Sequence, residues 1–292
     1  MSATADLTAD EILNSSVTAR GAQISEVADA ASAVLGRQRI CLVRGFPVDQ
    51  DGYLEFLGKF GTPLSNYSSL SDLDKPDVRP EINQVKYKQK GNYAKHSVHY
   101  VAGELRPHSA RSWCTPRPAY FAMLMVDGGW RDTPSGERGE SVVVCWQQLF
   151  TQLAERDGDT FVGHFRELAG TPVRFQANNV REELADLPLC YPLPDSAGPY
   201  DVGVRLKQDF QEKISGLVDQ LADPERYREA LDYLVANAAD EKFQISFPLE
   251  SGDLLLLDNN RFGHGRRTII GERVLGGETA VNPRELWSVT VR

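Results

Sequence analysis

The sequence has few cysteines, no long apolar run and an excess of acidic residues, and each of these features excludes a class of protein. Its four cysteines are scattered along 292 residues, so neither a zinc knuckle nor a disulfide framework is predicted. No apolar run reaches the roughly 18 residues that a membrane-spanning helix needs. The first six residues lack the basic flank and apolar stretch of a secretory signal. A net charge of −9 argues against a nucleic-acid polymer as partner. We therefore expect a cytoplasmic protein that binds no membrane.

Apolar periodicity predicts strands on either side of a helical middle region. Helical spacing predicts helices over 22–36, 53–60, 147–156, 160–168, 207–222 and 224–238. Continuous or alternating apolar runs predict strands over 39–47, 120–126, 141–146, 243–247, 253–257 and 286–291. Because no repeat or long linker divides the chain, we expect a single domain over 1–292. The pattern fits a mostly β fold with helical decoration, such as a β-sandwich or a double-stranded β-helix (jelly roll).

The segment 251–266, with the sequence SGDLLLLDNNRFGHGR, carries the first candidate metal ligand. A Ser-Gly turn leads into an apolar strand, and a polar stretch presents His264 just beyond that strand. A histidine beside a buried strand is held firmly, which suits a metal ligand. The alternative is a surface histidine in a polar turn.

The segment 105–113, with the sequence LRPHSARSW, carries a second candidate, His108. The residue two positions after it is Ala110, whose side chain has no atom that could bind a metal. No histidine of this sequence has an acidic residue two positions later; the five are His96, His99, His108, His164 and His264.

Taken together, these segments resemble the iron(II)/2-oxoglutarate oxygenases of the taurine dioxygenase and clavaminate synthase-like superfamily. GDLLLLDNxRxxHGR resembles the motif around the distal histidine of that superfamily, and RPH at 106–108, with Trp113 and Arg117-Pro118, resembles its proximal-histidine segment. The N-terminal segments 43–47 and 56–61 are also similar. The resemblance covers most of the chain, and 62–105 and 147–240 diverge as substrate-facing insertions would.

The resemblance implies a role for five residues. His108 and His264 would bind iron(II), and Arg284 would hold the distal carboxylate of 2-oxoglutarate, because a planar guanidinium can bind a carboxylate through two hydrogen bonds. Ser141, in Gly-Glu-Ser at 139–141, would take the place of the threonine that assists this contact in relatives. Arg273 is a rival to Arg284, because the loop after His264 is longer than usual.

In most relatives an acidic residue two positions after the proximal histidine completes a facial triad of two histidines and one carboxylate. With Ala110 there, chloride could bind iron in place of the carboxylate, and dioxygen could take the remaining position. This pattern resembles the aliphatic halogenases of the superfamily, which replace a C–H hydrogen of a small molecule by halogen. Two alternatives remain: a hydroxylase or desaturase with an unidentified third ligand, and a non-catalytic binding protein on the same scaffold.

A basic segment precedes His108 in an otherwise acidic chain. It could contact a phosphate or carboxylate of the substrate, and a free nucleotide is one candidate, because the motifs also resemble those of free-standing nucleotide halogenases. The alternative is a solvated strand edge protected by lysine. The candidate substrate-binding residues are Lys86, Lys88, Tyr93, Lys95 and His96.

Overall fold

The computed structural model describes residues 7–65, 78–87, 102–175, 186–207 and 218–292, and two β-sheets form its centre. The larger sheet has six strands in the spatial order β1 (Val17–Thr18), β2 (Ile40–Arg44), β12 (Leu254–Asp258), β5 (Tyr120–Asp127), β16 (Glu285–Val291) and β3 (Asn83–Lys86). The smaller sheet has four strands in the order β11 (Ile245–Phe247), β6 (Ser141–Cys145), β13 (Phe262–Arg266) and β4 (Leu105–His108). Neighbouring strands are antiparallel except β1 and β2, which are parallel.

Six helices and three two-stranded ribbons complete the described part of the chain. The helices are α1 (Ala9–Asn14), α2 (Ile24–Gln38), α3 (Gln50–Gly58), α4 (Trp146–Asp157), α5 (Asp159–Gly170) and α6 (Pro224–Ala239), with a 3-10 turn at Glu241–Phe243. The ribbons pair β7 (Val173–Arg174) with β8 (Asp186–Leu187), β9 (Cys190–Pro192) with β10 (Val202–Val204), and β14 (Glu272–Leu275) with β15 (Glu278–Val281). In these ranges no helix is long and apolar enough to cross a membrane.

The two sheets pack face to face because successive side chains of each strand point to opposite faces, and those on the facing sides are mainly apolar. Leu255 and Leu257 of β12 pack with Val143 of β6 between the sheets, whereas Leu254 and Leu256 pack beneath α2 and α3. We call the buried cluster between the sheets the inter-sheet core; its members are Ile12, Ile40, Leu42, Phe121, Met123, Met125, Val143, Ile245, Phe247, Leu249, Leu255, Leu257, Phe262 and Leu286.

The helices of the middle region cover the other face of the smaller sheet. Val144 of β6 points away from the inter-sheet core and packs with Trp146 and with apolar residues of α4, α5 and α6. The end of β10 and the residues that follow it contact the loop after His108. The backbone N–H of Ser109 donates to the carbonyl oxygen of Leu206 at 2.7 Å.

Most predicted elements are present, with their ends moved by a few residues. His264 lies beyond the apolar strand β12, as predicted, but within a further strand rather than in an irregular polar stretch: it is the central residue of β13, which is hydrogen-bonded on both sides. Gly263 and Gly265 hide this strand from sequence patterns, yet the packing requires them. A Cβ at Gly263 would lie 2.4 Å from the Trp146 ring, and one at Gly265 would lie 2.4 Å from the Leu105 carbonyl oxygen. The predicted helix over 207–222 lies largely outside the described residues.

Candidate functional site

His108 and His264 face each other across neighbouring strands of the smaller sheet. His108 is the last residue of β4, and its register partner on β13 is His264. The two ring centroids are 4.4 Å apart, with an angle of 49° between the ring planes. Both residues are buried. Imidazole nitrogens from two adjacent strands can therefore reach one metal ion, and imidazole is a ligand that suits iron.

Each imidazole has a contact that restricts its orientation. Nδ1 of His108 lies 3.0 Å from the carbonyl oxygen of Arg106, which can only accept, so this nitrogen carries the hydrogen and Nε2 keeps its lone pair. The ring of His264 stacks on the ring of Phe121, with centroids 3.9 Å apart. The strand pair thus presents two oriented imidazoles that could bind a metal.

A third protein ligand is not found in the part of the chain that the structure describes. In these ranges no group of three or more His, Cys, Asp or Glu residues could hold a metal ion. Glu104, four residues before His108, lies with its carboxylate 3.5 Å from the guanidinium of Arg267 and is 40% exposed. The paired histidines are therefore the candidate metal ligands in this part of the chain.

Ala110 is held in place through its backbone. Its N–H donates to Oδ1 of Asn259 at 3.0 Å, and its carbonyl oxygen accepts from Nδ2 of the same side chain at 3.0 Å. The buried guanidinium of Arg117 also reaches this carbonyl, at 3.4 Å. The methyl group of Ala110 packs against the inter-sheet core, which also contains the ring that stacks on His264.

Arg284 is a buried cation directly before β16. Its Nη2 donates to the carbonyl oxygen of Gly139 at 2.9 Å. Burial and the nearby guanidinium of Arg266 lower the pKa of Arg284, whereas the carboxylate of Glu140 raises it. Among the described residues, no carboxylate forms an ion pair with Arg284. Two buried guanidinium groups against one carboxylate leave an excess of positive charge, and this favours a bound anion.

Glycines make room for the Arg284 side chain. Gly139 has φ of 71°, and a Cβ there would lie 2.9 Å from Nε of Arg284. Gly129 has φ of 82°, and a Cβ there would lie 3.1 Å from Cβ of Arg284. Arg284 lines a cavity of about 480 Å³, together with Met125 and Leu249 of the inter-sheet core. The cavity lining also carries the carboxylates of Asp127, Glu140 and Glu250, and it does not include His108 or His264.

Ser141 and Arg273, the other residues expected to contact 2-oxoglutarate, occupy different environments. Ser141 is buried at the start of β6 and is the register partner of Arg266. Arg273 lies on β14, where its Nη1 is 2.7 and 2.8 Å from the two carboxylate oxygens of Asp132. Its guanidinium also lies over the Trp130 ring, 4.1 Å from the centroid. Arg273 thus has a carboxylate partner of its own, unlike Arg284.

Of the expected substrate-binding residues, the structure describes one. Lys86 ends the edge strand β3, opposite Glu285, the residue after Arg284. The other four lie outside the described residues: Lys88, Tyr93, Lys95 and His96.

Sequence reasoning missed Phe121, Asn259 and the closeness of Arg266 to Arg284. Asn259 stands in the same motif as His264, in Asp-Asn-Asn at 258–260, so its place in that motif was a usable signal. Phe121 is one of several apolar residues in β5, and only the packing of the two sheets brings it to His264.

Comparisons with known proteins agree with this geometry. Residues 4–287 match the family described as taurine catabolism dioxygenase TauD, TfdA family. A search of curated proteins found no match to the sequence. Among solved structures, asparagine oxygenase (AsnO) is similar with a TM-score of 0.61 and 15% identity, covering 91% of this chain and 78% of that chain.

Two further solved structures are similar in the same way. The non-heme iron oxygenase OrfP, in complex with Fe and alpha-ketoglutaric acid, has a TM-score of 0.57 and 14% identity, covering 91% of this chain and 79% of that one. A taurine dioxygenase from Burkholderia xenovorans has a TM-score of 0.57 and 16% identity, covering 93% and 81%. At these identities the similarity shows a shared fold.

Proposed function

The chain belongs to the taurine catabolism dioxygenase TauD, TfdA family of iron(II)- and 2-oxoglutarate-dependent oxygenases, and we propose that within this family it is a halogenase. In this proposal it replaces an unactivated aliphatic C–H hydrogen of a small molecule by chlorine. We assign its two packed sheets to a double-stranded β-helix, the jelly roll, with His108 and His264 on the smaller sheet as the iron ligands. Iron and 2-oxoglutarate, when bound, supply the chemistry that breaks the C–H bond with dioxygen.

The position of Ala110 carries the proposal. His108 and His264 would hold iron(II) together with 2-oxoglutarate, so the protein would supply two ligands where most relatives supply three. The methyl group of Ala110 supplies no ligand atom where relatives have a carboxylate, so a small anion is needed to replace the lost charge. Chloride meets this need because it is small, abundant and singly charged. Ala110 is half-buried and His264 is buried, and this partial exclusion of water would strengthen the attraction of chloride to the metal.

Arg284 is the residue that we propose to hold the distal carboxylate of 2-oxoglutarate. It is buried, it lines the cavity beside the inter-sheet core, and it has no carboxylate partner in the described ranges. The Ser141 hydroxyl, on the strand beside Arg266, is proposed to assist. The ion pair of Arg273 with Asp132 argues against Arg273 as the residue that holds 2-oxoglutarate, because this ion pair would have to break before the guanidinium could bind the co-substrate.

We propose a small free molecule as the substrate, with an anionic group such as the phosphate of a nucleotide. The lysine-rich stretch that begins at Lys86 motivates this choice, since it would complement such a group. Solved structures of similar fold also bind small molecules: an asparagine oxygenase was crystallised with Fe(II), 2S,3S-3-hydroxyasparagine and succinate. OrfP was crystallised with Fe, succinate and (3S)-hydroxy-L-Arg.

A hydroxylase with water as the third ligand is the second candidate. The hydroxylated amino acids in those two related structures favour it, because both are products of hydroxylation rather than halogenation. Chloride separates the two candidates, since only the halogenase requires it at the metal.

The test is an anaerobic titration of the iron(II) protein with 2-oxoglutarate and then with chloride, followed by the visible charge-transfer band of the iron-bound 2-oxo acid. A band that shifts saturably with chloride supports the halogenase, and candidate phosphorylated substrates are then assayed for chlorinated product. A band that ignores chloride supports the hydroxylase. Absence of any band would assign the chain to a binding protein that has lost the reaction.

A further inference from the structure

Asn259 joins the two segments that carry the paired histidines. It follows β12 directly, in the turn that leads to His264, and it is fully buried. Its carboxamide satisfies both backbone groups of Ala110, in the loop that follows His108, through the two 3.0 Å hydrogen bonds. A single side chain therefore pairs with Ala110 as a neighbouring strand would.

Further hydrogen bonds fix Asn259 itself. Its Nδ2 also donates to the carbonyl oxygen of Pro118 at 3.2 Å, and its backbone N–H donates to Ala119 at 2.9 Å. Nη2 of Arg117 donates to the Asn259 carbonyl oxygen at 2.8 Å. Since these groups are buried, a shift of Ala110 relative to the turn would leave polar atoms unpaired, which is costly.

We propose that Asn259 is a positioning residue that fixes the space beside the Ala110 methyl group and thereby sets how tightly a halide binds there. The inference rests on the proposed function because it assumes a bound halide. The hydrogen bonds by which Asn259 holds Ala110 do not depend on that assumption. An anion site whose walls cannot move binds more tightly than one that must first be ordered, because no ordering cost is subtracted on binding.

Asn282 provides a matched control beside Arg284. Its Oδ1 accepts the backbone N–H of Arg284 at 3.0 Å, and its Nδ2 donates to the carbonyl oxygen of Ile270 at 2.8 Å. It is a buried asparagine that bridges backbone groups, as Asn259 is, but it fixes the residue proposed to hold 2-oxoglutarate. The two asparagines should therefore affect different ligands.

The experiment compares Asn259→Ala, Asn259→Asp and Asn282→Ala in the iron(II) protein under anaerobic conditions. We expect both Asn259 variants to weaken chloride binding about tenfold or more and to leave the affinity for 2-oxoglutarate within about twofold. Asn259→Asp keeps the acceptor for Ala110 but sets a carboxylate against two carbonyl oxygens, so it tests the same contact without removing the side chain. Asn282→Ala should lower the affinity for 2-oxoglutarate. At saturating 2-oxoglutarate it should leave chloride binding unchanged.

A second measurement needs neither iron nor halide. Hydrogen exchange in the metal-free protein should show the Ala110 amide protected in the wild type and in Asn282→Ala, and exposed in Asn259→Ala. Wild-type chloride affinity in both Asn259 variants, or unchanged exchange at Ala110, would overturn the inference.

Failure of the proposed function gives a different result. If chloride does not change the charge-transfer band of the wild-type protein, the halide assignment is wrong. The positioning role of Asn259 is then tested in a protein that also carries Ala110→Asp. There, adding Asn259→Ala should lower the iron affinity, because the new carboxylate ligand loses its fixed backbone. An unchanged iron affinity in that pair would refute the positioning role by itself.

Discussion

The imidazole of His264 lies nearly flat on the phenyl ring of Phe121, with centroids 3.9 Å apart and the ring planes inclined by 20°. Phe121 belongs to β5 of the larger sheet and His264 to β13 of the smaller sheet, so the contact crosses the inter-sheet core. The candidate metal centre therefore depends on how the two sheets pack, as well as on the pairing of β4 with β13.

Phe121→Leu should weaken iron(II) binding while preserving the fold. Leucine fills much of the same core volume, so the cost in free energy of unfolding should stay below about 1.5 kcal/mol. Without the flat ring the imidazole of His264 can tilt, and we expect about a tenfold loss of iron affinity, as for other groups that orient a metal ligand. Anaerobic metal titration measures the affinity.

Phe247→Leu is the matched control for this prediction. Phe247 is a buried member of the inter-sheet core on β11, and among the described residues it stacks on neither histidine. It should lose similar stability and keep its iron affinity. Equal iron affinities in the two variants would show that the stacking contact does not orient His264.

Replacing either paired histidine by alanine should abolish iron binding. His108→Ala and His264→Ala each remove one of the two nitrogen ligands, so a loss of more than about a hundredfold in affinity is expected, beyond the effect of changes around a ligand. His164→Ala is the control, because His164 lies on α5 and stacks on Tyr233 with centroids 4.7 Å apart. Substantial iron-dependent turnover in either of the first two variants would exclude the metal assignment.

Arg284→Met should weaken the binding of 2-oxoglutarate without destabilising the metal-free protein. Hydrogen bonds to charged groups contribute roughly 1.5–3 kcal/mol, so the dissociation constant should rise about tenfold to a hundredfold. Arg284 is buried near Arg266, which lowers its pKa, and an apolar side chain of similar length removes that repulsion. The free energy of unfolding without ligand should therefore be kept or raised, as denaturant titration can measure.

Arg273→Met separates the two candidate arginines. Its ion pair with Asp132 is partly exposed, so it contributes at most about 1 kcal/mol to stability. The affinity for 2-oxoglutarate should stay at the wild-type value. If Arg273→Met lost affinity for 2-oxoglutarate and Arg284→Met retained it, Arg273 would be the residue that holds the co-substrate.

The local elements of the fold could be predicted from the sequence because each depends on its own periodicity. The continuous apolar run of β12 and the helical spacing of α2 are visible in the residues themselves. β13 could not be predicted, because two of its five residues are glycines, which are rare in strands. They are required here because Trp146 and β4 pack too closely to leave room for a larger side chain.

The candidate site was predictable only as far as motifs identify single residues. His108, His264 and Arg284 each stand in a motif, and the structure brings the two histidines together. The contacts of Phe121 with His264 and of Asn259 with Ala110 join residues more than 100 positions apart. Such contacts follow from strand register and sheet packing, which no local pattern contains.

Ala110→Asp tests the open coordination position most directly. The backbone of residue 110 is held by Asn259, so an aspartate there would have its carboxylate directed toward the same space as the present methyl group. A carboxylate ligand should raise the affinity for iron(II) and remove the response of the charge-transfer band to chloride, because it occupies the position and supplies the negative charge. Any remaining turnover should yield hydroxylated product, which mass spectrometry distinguishes from chlorinated product.

Ala110→Gly keeps the position open and is the control for that substitution. It removes only a methyl group, so the chloride response of the band should persist, with affinity changed by no more than a few fold. If Ala110→Asp left chloride binding and chlorination as in the wild type, the halide would have to bind elsewhere, and the argument from residue 110 would be wrong. If Ala110→Asp and Ala110→Gly both lost the response, the methyl group itself would be required to shape the halide site.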